Sequence, residues 1–396
     1  MAGSKCLKMT KEKGKIYLSS PQFTGEEIEF VQRALDQENI ATNGIFIRQF
    51  EQAIENRFKS QYTVALNSGT SSIHLSLHLL GVGMGDEVIC QTFTYIASTN
   101  PILYLGGTPV FVDSEESTWN MCPEKLEQTI KERIAKGKKP KAIIVVNLFG
   151  MPANWPRLLE VAKTYDIPLV EDAAESVGSK IGDQFTGTFG DLGIYSFNGN
   201  KIITTGGGGA LLTNNRFWEK KSRYLSTQAK LDFPHFEHIE MGFNYKMTNI
   251  SAGIGLAQLA VLENRIQKRR SIYDYYKLNL ASLPGIMFLK EPEGYFSNRW
   301  LTTIVINPEI TGFEVTDLRE FLLKDGIESR FLWKPMHLQP MYKGASYSGG
   351  DIAENLFSNG ICLPSGSGLV EMDLDRIINV VYRLHKEVIW NSEKSV

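Results

Sequence analysis

The chain has 396 residues, 42% of them hydrophobic and 22% charged, with a formal net charge of −2. That length exceeds what one hydrophobic core usually serves, so two domains are expected, and the near-zero charge offers no footprint for nucleic acid or an anionic membrane surface. No apolar run approaches the roughly 18 residues that mark a membrane span, and Cys6, Cys90, Cys122 and Cys362 lack the spacing of a zinc or disulfide framework. Scattered cysteines of this kind fit a reducing compartment, so a cytoplasmic location is expected. The basic start has no apolar h-region, and residues 1–15 read as a flexible tail rather than a secretory signal.

Thr24 caps a predicted helix over Glu26–Leu35, and Asn43-Gly44 marks a turn before a second amphipathic helix, Phe46–Phe58. Tyr62–Leu66 reads as a strand, Asn67-Ser68-Gly69-Thr70 as a turn, and Ser71 as the start of a Leu-rich helix. A helix N-terminus after small residues offers free N–H groups to an anion, and Gly69 lets the backbone approach closely. Ordinary N-capping by Ser68 or Thr70 explains the same residues. His74 and His78 stand four apart, a metal-pair spacing, but no HExxH glutamate or third ligand accompanies them; packing is the expected role and no metal is expected.

Strands are then expected at Asp86–Cys90, Thr108–Asp113 and Ala142–Leu148, with a helix over Ile96–Leu105 after Tyr95. An aromatic ring at a strand end can stack on a flat ligand, and Tyr95 and Phe93 are the candidates. The run Ile167–Val170 ends in Glu171 and Asp172, and a second run, Leu192–Phe197, leads to Lys201, Thr204, Thr205 and Gly206–Gly209. Strands alternating with helices imply one large doubly wound, mostly parallel sheet, whose ligands gather at the carboxyl ends of the strands. An acid at a buried strand end and a lysine in the next tight loop suit pyridoxal 5'-phosphate (PLP), which needs an amine for its aldehyde and a carboxylate for its pyridine nitrogen. The four glycines are not GxGxxG; they read as close backbone packing beside that lysine.

Beyond residue 215 helices dominate, and residues 261–396 read as a smaller C-terminal α/β domain after a large domain over 16–260. Its strands are expected at Trp300–Ile306 and from Gly326 to Phe331, with a helix at Val315–Lys324 and a turn-rich edge at Ile361–Gly366. Cations and aromatics cluster at Asn298-Arg299-Trp300 and at Trp333-Lys334-Pro335-Met336-His337. Such side chains can pair with a diphosphate or stack on a base.

The run D-A-A-E-S with S-F-N-G-N-K-I-I-T-T-G-G-G-G resembles the sugar aminotransferases of the DegT/DnrJ/EryC1 type, and most closely the branch that aminates C4 of UDP-linked 4-keto-6-deoxy sugars. The resemblance runs from about Ile16 to about Leu384. It implies the fold-type I architecture of PLP-dependent transferases and assigns residues to roles. Lys201 carries the cofactor as PLP, is released from it when the cofactor takes its amine form (PMP), and moves the proton. Asp172 faces the pyridine nitrogen, Tyr95 covers the ring, and Gly69, Thr70 and Ser196 hold the phosphate. Glu175 stands near the phenolic oxygen, where many members carry Gln or His. Asn244, in M-G-F-N-Y-K-M-T-N, reaches the partner subunit's phosphate, which implies a homodimer with shared sites. Substrate contacts are expected from Asn43, Arg299, Trp300, Lys334 and His337. The implied reaction moves an amine from L-glutamate to C4 of a UDP-linked 4-keto-6-deoxy, 2-acetamido sugar for glycan or polysaccharide biosynthesis. The alternatives are C3 amination of a dTDP-linked 3-keto-6-deoxy sugar, a related PLP dehydratase, and a non-catalytic sugar-nucleotide sensor. Lys201 counts against the dehydratase, whose branch usually carries histidine there; a sensor would need neither Lys201 nor Asp172.

Overall fold

The structure is a computed structural model that describes residues 14–394. Cys6 and most of the expected N-terminal tail lie outside the described residues. Among the described residues fifteen strands occur in chain order: β1 (Tyr62–Leu66), β2 (Glu87–Gln91), β3 (Thr108–Val112), β4 (Ala142–Val146), β5 (Leu169–Asp172), β6 (Lys180–Ile181), β7 (Gln184–Phe185), β8 (Leu192–Ser196), β9 (Gly209–Thr213), β10 (Ile286–Phe288), β11 (Tyr295–Phe296), β12 (Thr302–Ile306), β13 (Arg330–Phe331), β14 (Ser346–Ser348) and β15 (Gly360–Leu363). Eight of them form one sheet in the order β1-β9-β8-β5-β4-β2-β3-β14. All its pairs are parallel except the two made by β9, which runs against β1 and β8. The interior strands β2, β4, β5, β8 and β9 are buried along their whole length, as helices on both faces require.

Because β1, β2, β4, β5 and β8 point the same way, their carboxyl ends share one edge of the sheet. The turn Asn67–Thr70, Tyr95, Asp172 and Lys201 all lie at or just beyond those ends. Local chemistry sets each exit. The helix Gly69–Leu79 starts at Ser68, whose side chain accepts from the Ser71 N–H. The continuous helix expected over Ile96–Leu105 is broken instead, into a 3₁₀ turn at Ile96–Ser98 and a short helix at Asn100–Tyr104. Pro101 lacks an N–H, and it sits in the first turn of the restarted helix, where that N–H would have no intrahelical partner.

At the N-terminus, Gly25 rather than Thr24 is the N-cap of the helix Glu26–Asp36. The buried Glu27 carboxylate accepts from the Thr24 and Gly25 N–H groups and so satisfies the helix end from inside.

A second, four-stranded antiparallel sheet has the order β10-β12-β15-β13. Its core joins Ile304 and Ile361 to Ile272, Tyr276, Leu318, Leu322, Ile377 and Val381 from three helices. The segment Ile361–Gly366, expected at an edge, begins as an interior strand, since Ile361–Leu363 belong to β15. Two segments cross the boundary expected at residue 260. Ile16 bridges to Ile327 and packs into the C-terminal core, and β14 adds to the edge of the large sheet beside β3. Asp113 anchors the second crossing, its carboxylate accepting from the N–H groups of Gly350, Ile352 and Ala353.

Candidate active site

A cavity of about 500 Å³ opens at the strand ends. Its wall includes Gly69, Thr70, Tyr95, Asp172, Glu175, Ser196 and Lys201, seven of the residues singled out in the sequence. The glycines explain how the phosphate turn and the lysine loop approach each other. A Cβ on Gly209 would stand 2.4 Å from the Ser68 carbonyl carbon, and one on Gly69 would stand 3.0 Å from Ser196 Cβ. Only a residue without Cβ lets β9 lie directly under the turn.

The first helical residues, Gly69 and Thr70, have no preceding-turn carbonyl to bond, while the Ser68 side chain and carbonyl take the Ser71 and Ser72 N–H groups. The turn therefore presents N–H donors at the positive end of a helix, a cradle for a phosphate.

Asp172, 4% exposed, ends β5 at the base of the cavity. Its Oδ2 accepts from Ser98 Oγ at 2.7 Å and its Oδ1 from the Ala174 N–H at 3.1 Å. The 3₁₀ turn at Ile96–Ser98 is what delivers Ser98 to it. Burial raises the Asp172 pKa, while Ser98, Ala174 and Lys201 pull it back down. A cationic ring nitrogen opposite this carboxylate would replace the lost solvation.

Lys201 sits in a loop closed by backbone bonds from Thr205 N–H to the Phe197 carbonyl and from Phe197 N–H to the Gly208 carbonyl. Its side chain is 13% exposed, with Nζ 3.8 Å from Glu175 Oε1 and 4.2 Å from the centre of the Trp300 ring. Burial raises Glu175 to about 7, against the pull of Lys201 and of the Phe149 N–H, which donates to Oε2 at 2.7 Å. The Trp333 Nε1–H lies near enough to Glu175 to lower its pKa slightly, yet it is buried outside hydrogen-bond geometry with any partner.

The cavity thus offers a phosphate cradle, a buried carboxylate, a lysine amine and aromatic walls from Tyr95 and Trp333, whose rings stand 5.2 Å apart. That donor set fits PLP.

Other expected contacts lie elsewhere. Arg299 does not line the cavity. It is 6% exposed, its guanidinium stands 3.8 Å from the centre of the Tyr273 ring, and it donates to the Leu289 carbonyl and faces Glu291 at 3.7 Å. His337 is likewise engaged, bonded to Thr92 and Glu354 and stacked on Tyr347 at 3.8 Å, where it fastens the β14 segment. Lys334 and Asn43 are exposed and neither is part of the cavity wall. Trp300 does line it, but its indole faces Lys201 and its Nε1–H donates to the Asn200 carbonyl. Asn244 is exposed, and its carbonyl accepts from Asn67 Nδ2 beside the phosphate turn. His74 and His78 pack among the rings of Tyr104, Phe243 and Tyr245, and burial lowers His74 to about 4.

Sequence reasoning gave no role to Ser98, Asn198 or Asn200, and it placed Trp333 only within a cluster of aromatics and cations. Ser98 stands three residues after Tyr95 and Trp333 opens the cluster Trp333–His337, so both neighbourhoods were visible while the contributing side chain was not.

Fold and cavity together define a PLP-dependent transferase. Residues 21–382 match the model of the DegT/DnrJ/EryC1/StrS aminotransferase family, and the chain belongs to that family. It is similar to EpsN of Bacillus subtilis (strain 168), which its name assigns provisionally to the pyridoxal phosphate-dependent aminotransferases: 44% identity, over 94% of this chain and 97% of that one. It is 40% identical to GDP-perosamine synthase of Escherichia coli O157:H7, over 87% of this chain and 92% of that one. Among solved structures, the PMP form of Spr1654 from Streptococcus pneumoniae, provisionally a sugar aminotransferase, superposes with a TM-score of 0.86 at 29% identity, covering 96% of this chain and all of that one. The chain is a PLP-dependent sugar aminotransferase.

Proposed function

We propose that this enzyme transfers the amine of L-glutamate to C4 of a UDP-linked 4-keto-6-deoxy sugar, a 2-acetamido sugar, for glycan or polysaccharide biosynthesis. The observation that carries the catalytic part is the convergence of Asp172, Lys201 and the Ser68–Thr70 turn on one cavity. When bound, PLP supplies an aldehyde that takes an amine and a cationic ring that accepts the electron pair of a breaking bond. The chain's own residues do the rest. The N–H groups of Gly69 and Thr70, with Ser196, bind the phosphate. Asp172 holds a proton on the pyridine nitrogen by its buried charge. Tyr95 covers the ring and excludes water. Lys201 Nζ carries the proton between donor and acceptor carbons, with Glu175 beside it as the nearest carboxyl.

The electrostatics of the wall support a second copy in the site. Among the described residues, Lys201 is the one Lys or Arg lining the cavity, beside Asp172 and Glu175. A sugar nucleotide brings a diphosphate and glutamate brings two carboxylates, so their cations must come from beyond this wall. A homodimer with shared sites, to which Asn244 contributes across the interface, meets that need.

UDP as carrier rests on the D-A-A-E-S and N-G-N-K motifs. A second reading, a GDP-linked 4-keto sugar, is favoured by the 40% identity to GDP-perosamine synthase. Both are tested by incubating the purified enzyme and L-glutamate with UDP-, GDP- and dTDP-linked 4-keto and 3-keto sugars, with products read by mass spectrometry. Amination of the UDP 4-keto sugar alone supports the first reading, and of the GDP sugar alone the second. Turnover of a dTDP-linked 3-keto sugar alone, or of none, overturns both.

A further inference from the structure

Arg269, on the helix Leu262–Leu280, is 1% exposed. Among the described residues no carboxylate acts on its charge: burial and the like charge of Arg265 lower its pKa to about 9. A buried, unpaired guanidinium is costly, and it persists only where its hydrogen bonds hold something in place. One Nη donates to the Trp300 carbonyl and the other to Ser19 Oγ at 3.0 Å. Ser19 Oγ donates in turn to the Asn200 carbonyl at 3.0 Å, and the Trp300 Nε1–H donates to that same carbonyl at 2.9 Å. The bonds close a ring through Arg269, Trp300, Asn200 and Ser19. Asn200 directly precedes Lys201, and the Trp300 indole is the face that Lys201 Nζ stands against. Neither Arg269 nor Ser19 lines the cavity.

We propose that Arg269 is a positioning residue for Lys201. Its planar fork ties the small-sheet unit (through Trp300) and the N-terminal segment (through Ser19) to the backbone that aims the lysine. The two acceptors belong to different segments, and a rigid fork reaches both at once where the single ammonium of lysine does not. Residues 16–20 thereby become part of the active-site scaffold, although they lie far from Lys201 in sequence.

The inference rests on Lys201 being the lysine that holds PLP. Borohydride reduction of the wild-type holoenzyme followed by peptide mapping checks that separately, since a label on another lysine overturns the assignment itself. With the label on Lys201, Ser19→Ala opens the ring without emptying a core position, and Arg269→Lys removes the fork while keeping a long side chain with an N–H donor. Both holoenzymes are expected to lose roughly tenfold or more in kcat, with KM for L-glutamate within about twofold of wild type. The visible circular dichroism band of bound PLP should weaken, because that band senses how the ring is held. Melting of Ser19→Ala should stay near wild type. If Ser19→Ala keeps both kcat and the dichroism band, or loses activity only in proportion to folded protein, Arg269 is a structural residue and the proposal fails. Should Arg269→Lys not fold, Ser19→Ala decides alone.

Discussion

Lys201 Nζ lies 3.8 Å from Glu175 Oε1, in a cavity whose wall carries no other lysine or arginine among the described residues. Burial lifts the Glu175 pKa from 4.5 to about 7 even with that amine beside it. In the unfolded chain the carboxyl ionises near 4.5, and in the folded one near 7. Between those values the folded protein holds the extra proton. The contribution of Glu175 to stability is therefore complete below about 4.5 and is lost as pH rises through about 7. Urea unfolding of the cofactor-free wild type and of Glu175→Gln isolates this term, because Glu171 and the other carboxyls are common to both. The wild type should lose ground to the variant between pH 4.5 and 8, by at most about 3.4 kcal/mol. A difference that does not vary with pH would show that Glu175 does not titrate in this window.

Asp172 is held by Ser98 Oγ and the Ala174 N–H. Asp172→Asn keeps the shape and removes the charge opposite the ring nitrogen. Turnover should fall at least about a hundredfold, roughly 2.7 kcal/mol of barrier, with PLP still bound through the phosphate turn. Ser98→Ala strips one donor from the same carboxylate and should cost about tenfold. Single-turnover kinetics with L-glutamate measure both. A loss below tenfold for Asp172→Asn would assign the residue another task.

Gly209 and Gly207 form a matched pair. A methyl on Gly209 meets the Ser68 carbonyl carbon at 2.4 Å and the Gly69 nitrogen at 2.6 Å, whereas one on Gly207 has only the Asn67 oxygen at 4.0 Å. Gly209→Ala must push the phosphate turn away from β9. It should destabilise the fold by about 1–3 kcal/mol and weaken PLP binding at least about tenfold. Gly207→Ala should change either by much less. Equilibrium dialysis of PLP against the two variants gives the comparison, and equal losses would refute the close-packing account.

Subunit mixing tests the shared site. Lys201→Ala should bind PLP without turning over, and Asn244→Ala should bind it more weakly by about 1–3 kcal/mol, the worth of one charge-assisted hydrogen bond. At limiting PLP, once Asn244→Ala is confirmed inactive, hybrids of the two variants should regain activity. Asn244 across the interface leaves one site of each hybrid with both lesions and the other with neither. If both residues serve one site from one chain, every hybrid site keeps a lesion and the mixture stays dead.

The parts of the site that were legible in the sequence are those whose signals are local. Ser68–Thr70, Tyr95, Asp172 and Lys201 each follow a short apolar run, and a chain leaving a buried parallel strand must expose its next residues at the carboxyl edge. Gly69 and Gly209 are written as glycines because their backbones touch neighbours there, and that requirement leaves a mark at each position.

The remaining assignments depended on which segments meet, and no local pattern carries that. Arg299 and His337 have the chemistry of substrate contacts, yet Tyr273 and Glu291 hold the first while Thr92 and Glu354 hold the second. Ser98 reaches Asp172 from a 3₁₀ turn that stands where a continuous helix was expected from Ile96. The membership of β14 in the large sheet and the ring joining Ser19, Arg269, Trp300 and Asn200 rest on bonds between residues far apart in sequence, 250 positions in the case of Ser19 and Arg269. Burial and hydrogen-bond pairing are properties of those long-range contacts. The sequence by itself therefore determined the kinds of chemical groups at the strand ends, and the tertiary structure decided which of them face the cavity and what holds them there.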